Sequence, residues 1–280
     1  MFGEIDKIKK AIERFRTFEP PEGYYLAFSG GKDSQCIYHL AIDAGVKFDA
    51  HYHITGIDPP KLFRFIKRQY PDVSMDMYKE SMWRLIYRLG PPMRQKRYCC
   101  AELKEGGGEG RICVTGVRWA ESVNRRKRRP FEIVTKKKED RKLFNDNDED
   151  RKLFENCMQK GKRVINPIID WEDSDVWEYL NSKNLPHCEL YDEGEKRLGC
   201  IGCPMGDVKG MTEDFEKYPE FKKLYVKAFE KHLGYRKLRG LKIRDNWQTG
   251  EDVFNWWVFG TEEEHQMVGQ VDIIDYAKNS

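Results

Sequence analysis

Residues 29–34 read Ser-Gly-Gly-Lys-Asp-Ser and follow the apolar run Tyr24-Tyr25-Leu26-Ala27-Phe28. A glycine turn between a strand and a helix exposes backbone N–H groups at the helix N-terminus, where unpaired donors and the helix dipole both favour an anion. Gly30 and Gly31 let the backbone approach phosphate oxygens and adopt positive φ. Lys32 adds a point charge. The spacing differs from the Walker pattern, which sets four residues between its first glycine and Gly-Lys-Ser/Thr. In a purely structural reading Ser29 caps a helix and Asp33 sits in its first turn.

The second set of reactive residues is sulfur. Cys99-Cys100 are adjacent, and Cys200-Ile201-Gly202-Cys203-Pro204 is a compact CxxC. Two such pairs supply four thiolates, the number that a cubane iron–sulfur cluster or a tetrahedral zinc requires. Packed thiols in a helix are the plain alternative for Cys99-Cys100. Cys36, Cys113 and Cys157 read as buried or incidental thiols. Cys188 could be a sulfur acceptor or a spare ligand.

The hexapeptide resembles the PP-loop of the ATP pyrophosphatases, a family that includes the sulfonucleotide (PAPS/APS) reductases, tRNA-thiolating enzymes and the sulfur-insertion proteins of DNA phosphorothioation. That resemblance implies that Ser29, Gly30, Gly31, Lys32, Asp33 and Ser34 hold ATP phosphates with Mg²⁺ and that cleavage falls between the α and β phosphates. Tyr98-Cys99-Cys100-Ala101-Glu102-Leu103-Lys104 is similar to the Cys-Cys-x-x-Arg-Lys element of the iron–sulfur reductases, with Leu103 in place of the arginine. Gly199-Cys200-Ile201-Gly202-Cys203, preceded by Leu190-Tyr191-Asp192-Glu193-Gly194, is similar to their later CxxC. The likeness implies one [4Fe–4S] cluster on Cys99, Cys100, Cys200 and Cys203, with zinc as the alternative, and a catalytic part for Lys104 alongside Lys32 and Asp33. Gly116-Val117-Arg118-Trp119-Ala120-Glu121-Ser122-Val123-Asn124-Arg125 resembles the family's Gly-x-Arg-x-x-Glu-Ser-x-x-Arg. Here Gly116 would admit the nucleotide, Arg118 and Arg125 would contact phosphate, and Glu121 would orient an arginine.

These residues need a scaffold. Strand and helix signals alternate: helix over Ile5, Ile8, Ile12 and Phe15, strand 23–29, helix 33–45 stopped by Gly45, strand 48–55, helix 61–70, strand 73–78, helix 81–89 and strand 111–116. Residues 164–171 read as a further strand, 176–184 and 213–233 as helices. The class expected is α/β: a Rossmann-like parallel sheet with helices on both faces, of the adenine nucleotide alpha-hydrolase type. The expected division is an N-terminal helix over 1–20, a nucleotide-binding domain over 21–210 and a helical, aromatic-rich region over 211–280. Trp247, Trp256 and Trp257 are expected in a core or a docking face. Residues 135–163 form a charged insertion in which Glu139-Asp140-Arg141-Lys142-Leu143-Phe144 recurs as Glu149-Asp150-Arg151-Lys152-Leu153-Phe154; a solvated hairpin or mobile insertion is expected there.

The 280 residues carry a net charge of +3, which argues for no polyanionic partner by itself. The basic run Asn124-Arg125-Arg126-Lys127-Arg128-Arg129 could grip a nucleic acid, or be balanced by the acidic insertion. No apolar run nears the ~18–20 residues of a membrane span, and residues 1–7 lack a signal-peptide core, so a cytoplasmic location is expected. The reductases use a mobile cysteine near the C-terminus as nucleophile, and no cysteine follows Cys203. The expected activity is therefore cleavage of ATP to AMP and pyrophosphate, adenylating an acceptor for iron–sulfur-dependent sulfur transfer. The alternatives are a PAPS/APS reductase using an external thiol and a non-catalytic nucleotide- or redox-sensing module of a defence system. The expected partners are a nucleotide substrate and either a nucleic acid or a sulfur-donor protein. The sequence gives no oligomeric state.

Overall fold

The computed structural model describes residues 6–135, 140–157 and 160–260. Along the chain run α1 (Lys7–Thr17), β1 (Tyr24–Ala27), α2 (Lys32–Ala44), β2 (Phe48–Ile54), α3 (Pro60–Gln69), β3 (Ser74–Met77), α4 (Met82–Leu89), α5 (Tyr98–Leu103), β4 (Cys113–Val114), β5 (Phe131–Val134), β6 (Lys142–Phe144), α6 (Asp148–Asn156), β7 (Lys162–Ile165), α7 (Asp173–Ser182), α8 (Val208–Lys217), α9 (Pro219–Leu238) and α10 (Gly250–Phe259). The chain divides into two compact units.

The first unit, Met1–His53, Pro60–Asp76 and Gly107–Leu198, carries the sheet. Among the described residues the strand order is β3-β2-β1-β4-β7-β5-β6. β2, β1, β4 and β7 run parallel, the Rossmann-like arrangement expected from alternating strands and helices. β5 is antiparallel to β7 and to β6, which differs from the all-parallel expectation. An antiparallel pair needs no crossover helix, so this sheet edge can reverse direction.

β6 and α6 both come from the charged insertion, so its described part is built into the fold. In the first copy of the duplicated hexapeptide Lys142–Phe144 is strand; in the second, Asp150–Phe154 lies within helix. Both copies bury their phenylalanine, Phe144 at 7% and Phe154 at 0% exposure, with ring centroids 5.6 Å apart. Both give their arginine to carboxylates, Arg141 to Glu132 and Arg151 to Asp146. Tertiary contacts thus override one local preference with two outcomes.

Three other expectations change. The strand read over 164–171 stops at Ile165, because Pro167 lacks a donor for the ladder. Ile168, Ile169 and Trp171 are buried in the turns that follow, which explains their apolar run. The helix read over 213–233 is two, broken at Tyr218, with Pro219 opening α9. In α1 the core-facing residues are Ala11, Arg14 and Phe15, while Ile8 is 40% exposed. Arg14 is buried because it forks onto Asp170 (2.8 and 2.9 Å), reaches Asp146 (2.8 Å) and donates to the Pro167 carbonyl (2.6 Å).

The second unit, Ile54–Pro59, Met77–Gly106 and Gly199–Ser280, is helical in its described part. Phe215, Tyr225, Phe229, Phe254 and Trp257 form its aromatic centre, with Tyr225 and Trp257 rings 4.9 Å apart. Trp247, Trp256 and Trp257 are all core residues, and the Trp257 indole donates to the Pro92 carbonyl.

Candidate active site

In the first unit the loops leaving the carboxyl ends of β1, β4 and β7, neighbours in the sheet, carry the charged residues. That edge is where ligands bind in open α/β sheets. β1 delivers the chain into Ser29-Gly30-Gly31, and α2 starts at Lys32 with Gly31 as its N-cap. Gly30 has φ +73°, and a Cβ there would lie 2.6–2.7 Å from Ile66 and Leu62 of α3. Only glycine satisfies both demands. Ser34 Oγ donates to the Gly31 carbonyl (2.8 Å), Ser29 Oγ donates to Ser34 Oγ (3.2 Å) and Gln35 Nε2 donates to the Gly30 carbonyl (2.9 Å). These bonds fix the bend. The amides of Asp33 and Ser34 lie in the first helical turn and have no intrahelical acceptor.

Lys32 is only 4% exposed. Its ammonium donates to the Lys196 carbonyl (3.2 Å) and lies 3.6 Å from Asp173, and its amide donates to the Tyr191 hydroxyl (2.9 Å). Arg118, 2% exposed, braces the loop: Nε donates to Asp33 (2.6 Å), Nη2 to Asp173 (2.5 Å) and Nη1 to the Trp171 carbonyl (3.2 Å). Burial raises Asp33 above the ordinary carboxylate value although Arg118 and Lys32 pull it down. Burial acts the same way on Asp173, but there Arg118 and Lys32 win and hold it low.

Arg118 has its guanidinium committed to protein acceptors, so it positions Asp33 and Asp173. Gly116 makes room for protein: a Cβ would stand 3.0 Å from the backbone of Asp33. Arg125 is less committed than Arg118. It gives one nitrogen to Glu121 (2.6 Å), which also accepts from the Arg118 amide, and it stays 30% exposed. Burial lowers its pKa; Glu121 opposes this, while Arg197 and Arg128 reinforce it. Such crowding of cations favours an incoming anion. In the adjoining basic run Arg128 is tied to the fully buried Glu132, whereas Arg126 and Lys127 are exposed. Asp173 and Tyr191 were not singled out as site residues from sequence. The Leu190–Gly194 segment was the available signal for the tyrosine; Asp173, at the start of α7, offers none beyond a residue type that commonly opens helices.

In the second unit Cys99 and Cys100 on α5 and Cys200 and Cys203 line one cavity with Thr55, Ile57, Met82, Leu103, Lys104 and Tyr225. Cys200 Sγ donates to Asp58 at 3.6 Å, and Lys104 Nζ lies 3.7 Å from the same carboxylate. Burial would lower Lys104, yet Cys200 and Asp58 raise it well above the ordinary lysine value. Burial pushes Cys200 up to about 12, with Lys104 pulling the other way. A hydrogen bond between Cys99 and Cys100 raises the first thiol and lowers the second, where Arg97 adds to the lowering. Four thiols in an apolar cavity beside a lysine are a soft donor set, the ligand chemistry that iron–sulfur clusters and zinc take. As free thiols, Cys99 and Cys100 pair with each other and Cys200 pairs with Asp58 and Lys104. Among the described residues no group of three or more His, Cys, Asp or Glu side chains is arranged to hold an ion. Asp58 was missed because the turn Thr55–Pro60 shows no metal or thiol pattern. Cys188, in the first unit, is fully buried and burial raises its thiol. Cys36 and Cys113 are buried as expected, and no helix among the described residues is long and apolar enough to cross a membrane.

Fold and loop together define a Rossmann-like α/β protein with a glycine-rich strand–turn–helix loop at the carboxyl edge of its sheet. The chain belongs to the phosphoadenosine phosphosulfate reductase domain family, whose model matches residues 23–205. It is 27% identical over 226 residues to an uncharacterised protein of Methanocaldococcus jannaschii, covering 74% of this chain and 42% of that one. A second uncharacterised protein of the same organism is 26% identical over 247 residues, covering 82% and 54%. The chain thus spans about half the length of the curated relatives it matches. Among solved structures, a phosphoadenylyl-sulfate (PAPS) reductase from Candida auris in a phosphate complex aligns with TM-score 0.46 and 16% identity, over 70% of this chain and 89% of that chain.

Proposed function

We propose that the first unit binds ATP across Ser29–Ser34 and cleaves it between the α and β phosphates, adenylating an acceptor that is then open to sulfur. The observation that carries this reading is the α2 N-terminus: a fixed glycine bend with first-turn amides, a buried lysine and a braced aspartate. An acceptor oxygen attacks the α phosphorus and the bond to the bridging oxygen breaks. Pyrophosphate departs with the electron pair. Lys32 and the first-turn amides stabilise the charge that builds there, and Arg125 orients the phosphates. A sulfur nucleophile then displaces AMP from the adenylated acceptor. Asp173 and Asp33 each give one oxygen to Arg118; Asp173, 65% exposed against 23% for Asp33 and held low in pKa, has the chemistry to take Mg²⁺ on its other oxygen. Cys99, Cys100, Cys200 and Cys203 would hold a [4Fe–4S] cluster, or zinc, with Lys104 offsetting its negative charge. A bound cluster supplies a thiophilic, redox-active centre.

The family match favours one second reading, reduction of a sulfonucleotide by an external thiol. Anaerobic purification followed by iron and sulfide analysis and product analysis with ATP, APS and PAPS separates the two. AMP with pyrophosphate supports adenylation, and sulfite from APS or PAPS supports reduction. Neither product would sink both. Lys32→Ala should slow pyrophosphate release by roughly 10²–10³-fold, the cost of losing one preorganised donor; unchanged release removes the loop from the chemistry.

A further inference from the structure

Two donors of the loop, the amide and the ammonium of Lys32, both meet oxygens of one segment, and the ammonium also faces Asp173. Residues 188–198 place two neutral oxygens on Lys32: the Tyr191 hydroxyl on its amide (2.9 Å) and the Lys196 carbonyl on its ammonium (3.2 Å). The Tyr191 ring also underlies the ammonium, 5.8 Å from centroid to nitrogen. The hydroxyl lies against Gly31, 3.4 Å from where a Cβ would stand. An amide at a helix N-terminus and a lysine ammonium are the groups that a phosphate oxygen would take. We infer that Tyr191 and the Lys196 carbonyl stand where phosphate oxygens would bind the loop, so that a nucleoside triphosphate enters by displacing this strap. The inference rests on the nucleotide-binding reading above.

The anchoring of the segment fits displacement. Its inner end is firm, with Cys188 and Leu190 at 0% and 1% exposure. Its outer face is held by Lys61 to Glu189 and Glu193, an ion-pair set at the surface, where such pairs contribute little. Gly194, at φ +96° with open space on the side where a Cβ would project, gives the tip a swivel. A phosphate gives the Lys32 amide a charge-assisted bond, about twice as strong as the neutral one to the Tyr191 hydroxyl, and gives the ammonium an anion in place of a neutral carbonyl. Tyr191 then leaves without breaking the core.

Tyr191→Phe tests this in the full chain, because it removes the hydroxyl and keeps the ring that meets Trp177 edge-on at 5.0 Å. A non-hydrolysable ATP analogue should bind the variant roughly three- to ten-fold more tightly than wild type, the worth of one net hydrogen bond no longer competed for. In wild type the analogue should also speed amide exchange over residues 191–197. Unchanged or weaker binding by the variant, or slower exchange in wild type, overturns the strap while leaving nucleotide binding standing. Absence of binding to both proteins overturns both.

Discussion

Arg118 sends its side chain to three parts of the chain: the start of α2, the start of α7 and the turn before it. Replacing it by alanine leaves Asp33 partly buried without its cation, a change that typically costs about 3–5 kcal/mol. Urea denaturation of Arg118→Ala should show that loss, with the fold of the remainder checked by circular dichroism. The acidic side of stability has a different source. Burial works against ionisation of Asp146 and Asp170, but hydrogen bonds from Arg151 and Arg14 hold both carboxyls below the ordinary value. A depressed folded pKa contributes stability that is present above the unfolded value, near 3.9, and is lost as pH falls through the folded one. Stability of Asp170→Asn should therefore fall less steeply than wild type between pH 5 and 2 in pH-resolved urea melts. At this scale the sequence was legible where the residues are consecutive. Ser29–Ser34 declared itself as a unit. Arg118 was found by its motif but its partners were not, because one of them, Asp173, lies far along the chain and resembles any helix-opening aspartate.

Two glycines at opposite ends of α2 separate conformation from space. Gly45 closes the helix at φ +70° with nothing within 4 Å, so Gly45→Ala should cost about 1 kcal/mol through backbone strain alone. Gly30→Ala adds a clash with Leu62 and Ile66 to a similar φ. It should cost several times as much and lower nucleotide affinity as well. Thermal melts and analogue titration of both variants check the contrast; equal losses would mean that the contact with α3 does not hold the bend. Most elements were readable from periodicity and punctuation, as the glycine stop of α2 shows. Those that were not readable have specific causes. Pro219 was outweighed by apolar spacing that runs through it, and the strand–helix split of the duplicated hexapeptide depends on Phe18, Phe131 and each other's phenylalanine, which lie outside either copy.

The second unit is assembled from three separated stretches, so no window of sequence displays it. Its thiols come from two of those stretches, and the family likeness, more than spacing, drew them together. If they hold a cluster or zinc, binding stabilises the folded unit by mass action. Calorimetry should show one transition that falls on chelation in wild type, and Cys203→Ser should lack that response. A chelator-insensitive wild type would assign these cysteines to packing alone.

The repeated hexapeptide has a consequence for how this chain can change. Its two copies are interchangeable as letters but not as parts, since one supplies a rung of the sheet edge and the other a helical turn over it. Excising ten residues between them would leave an intact copy of the text and one vacant place in the building. Exchanging the copies would do nothing at all. Shortening is thus policed by geometry here, while shuffling goes unseen.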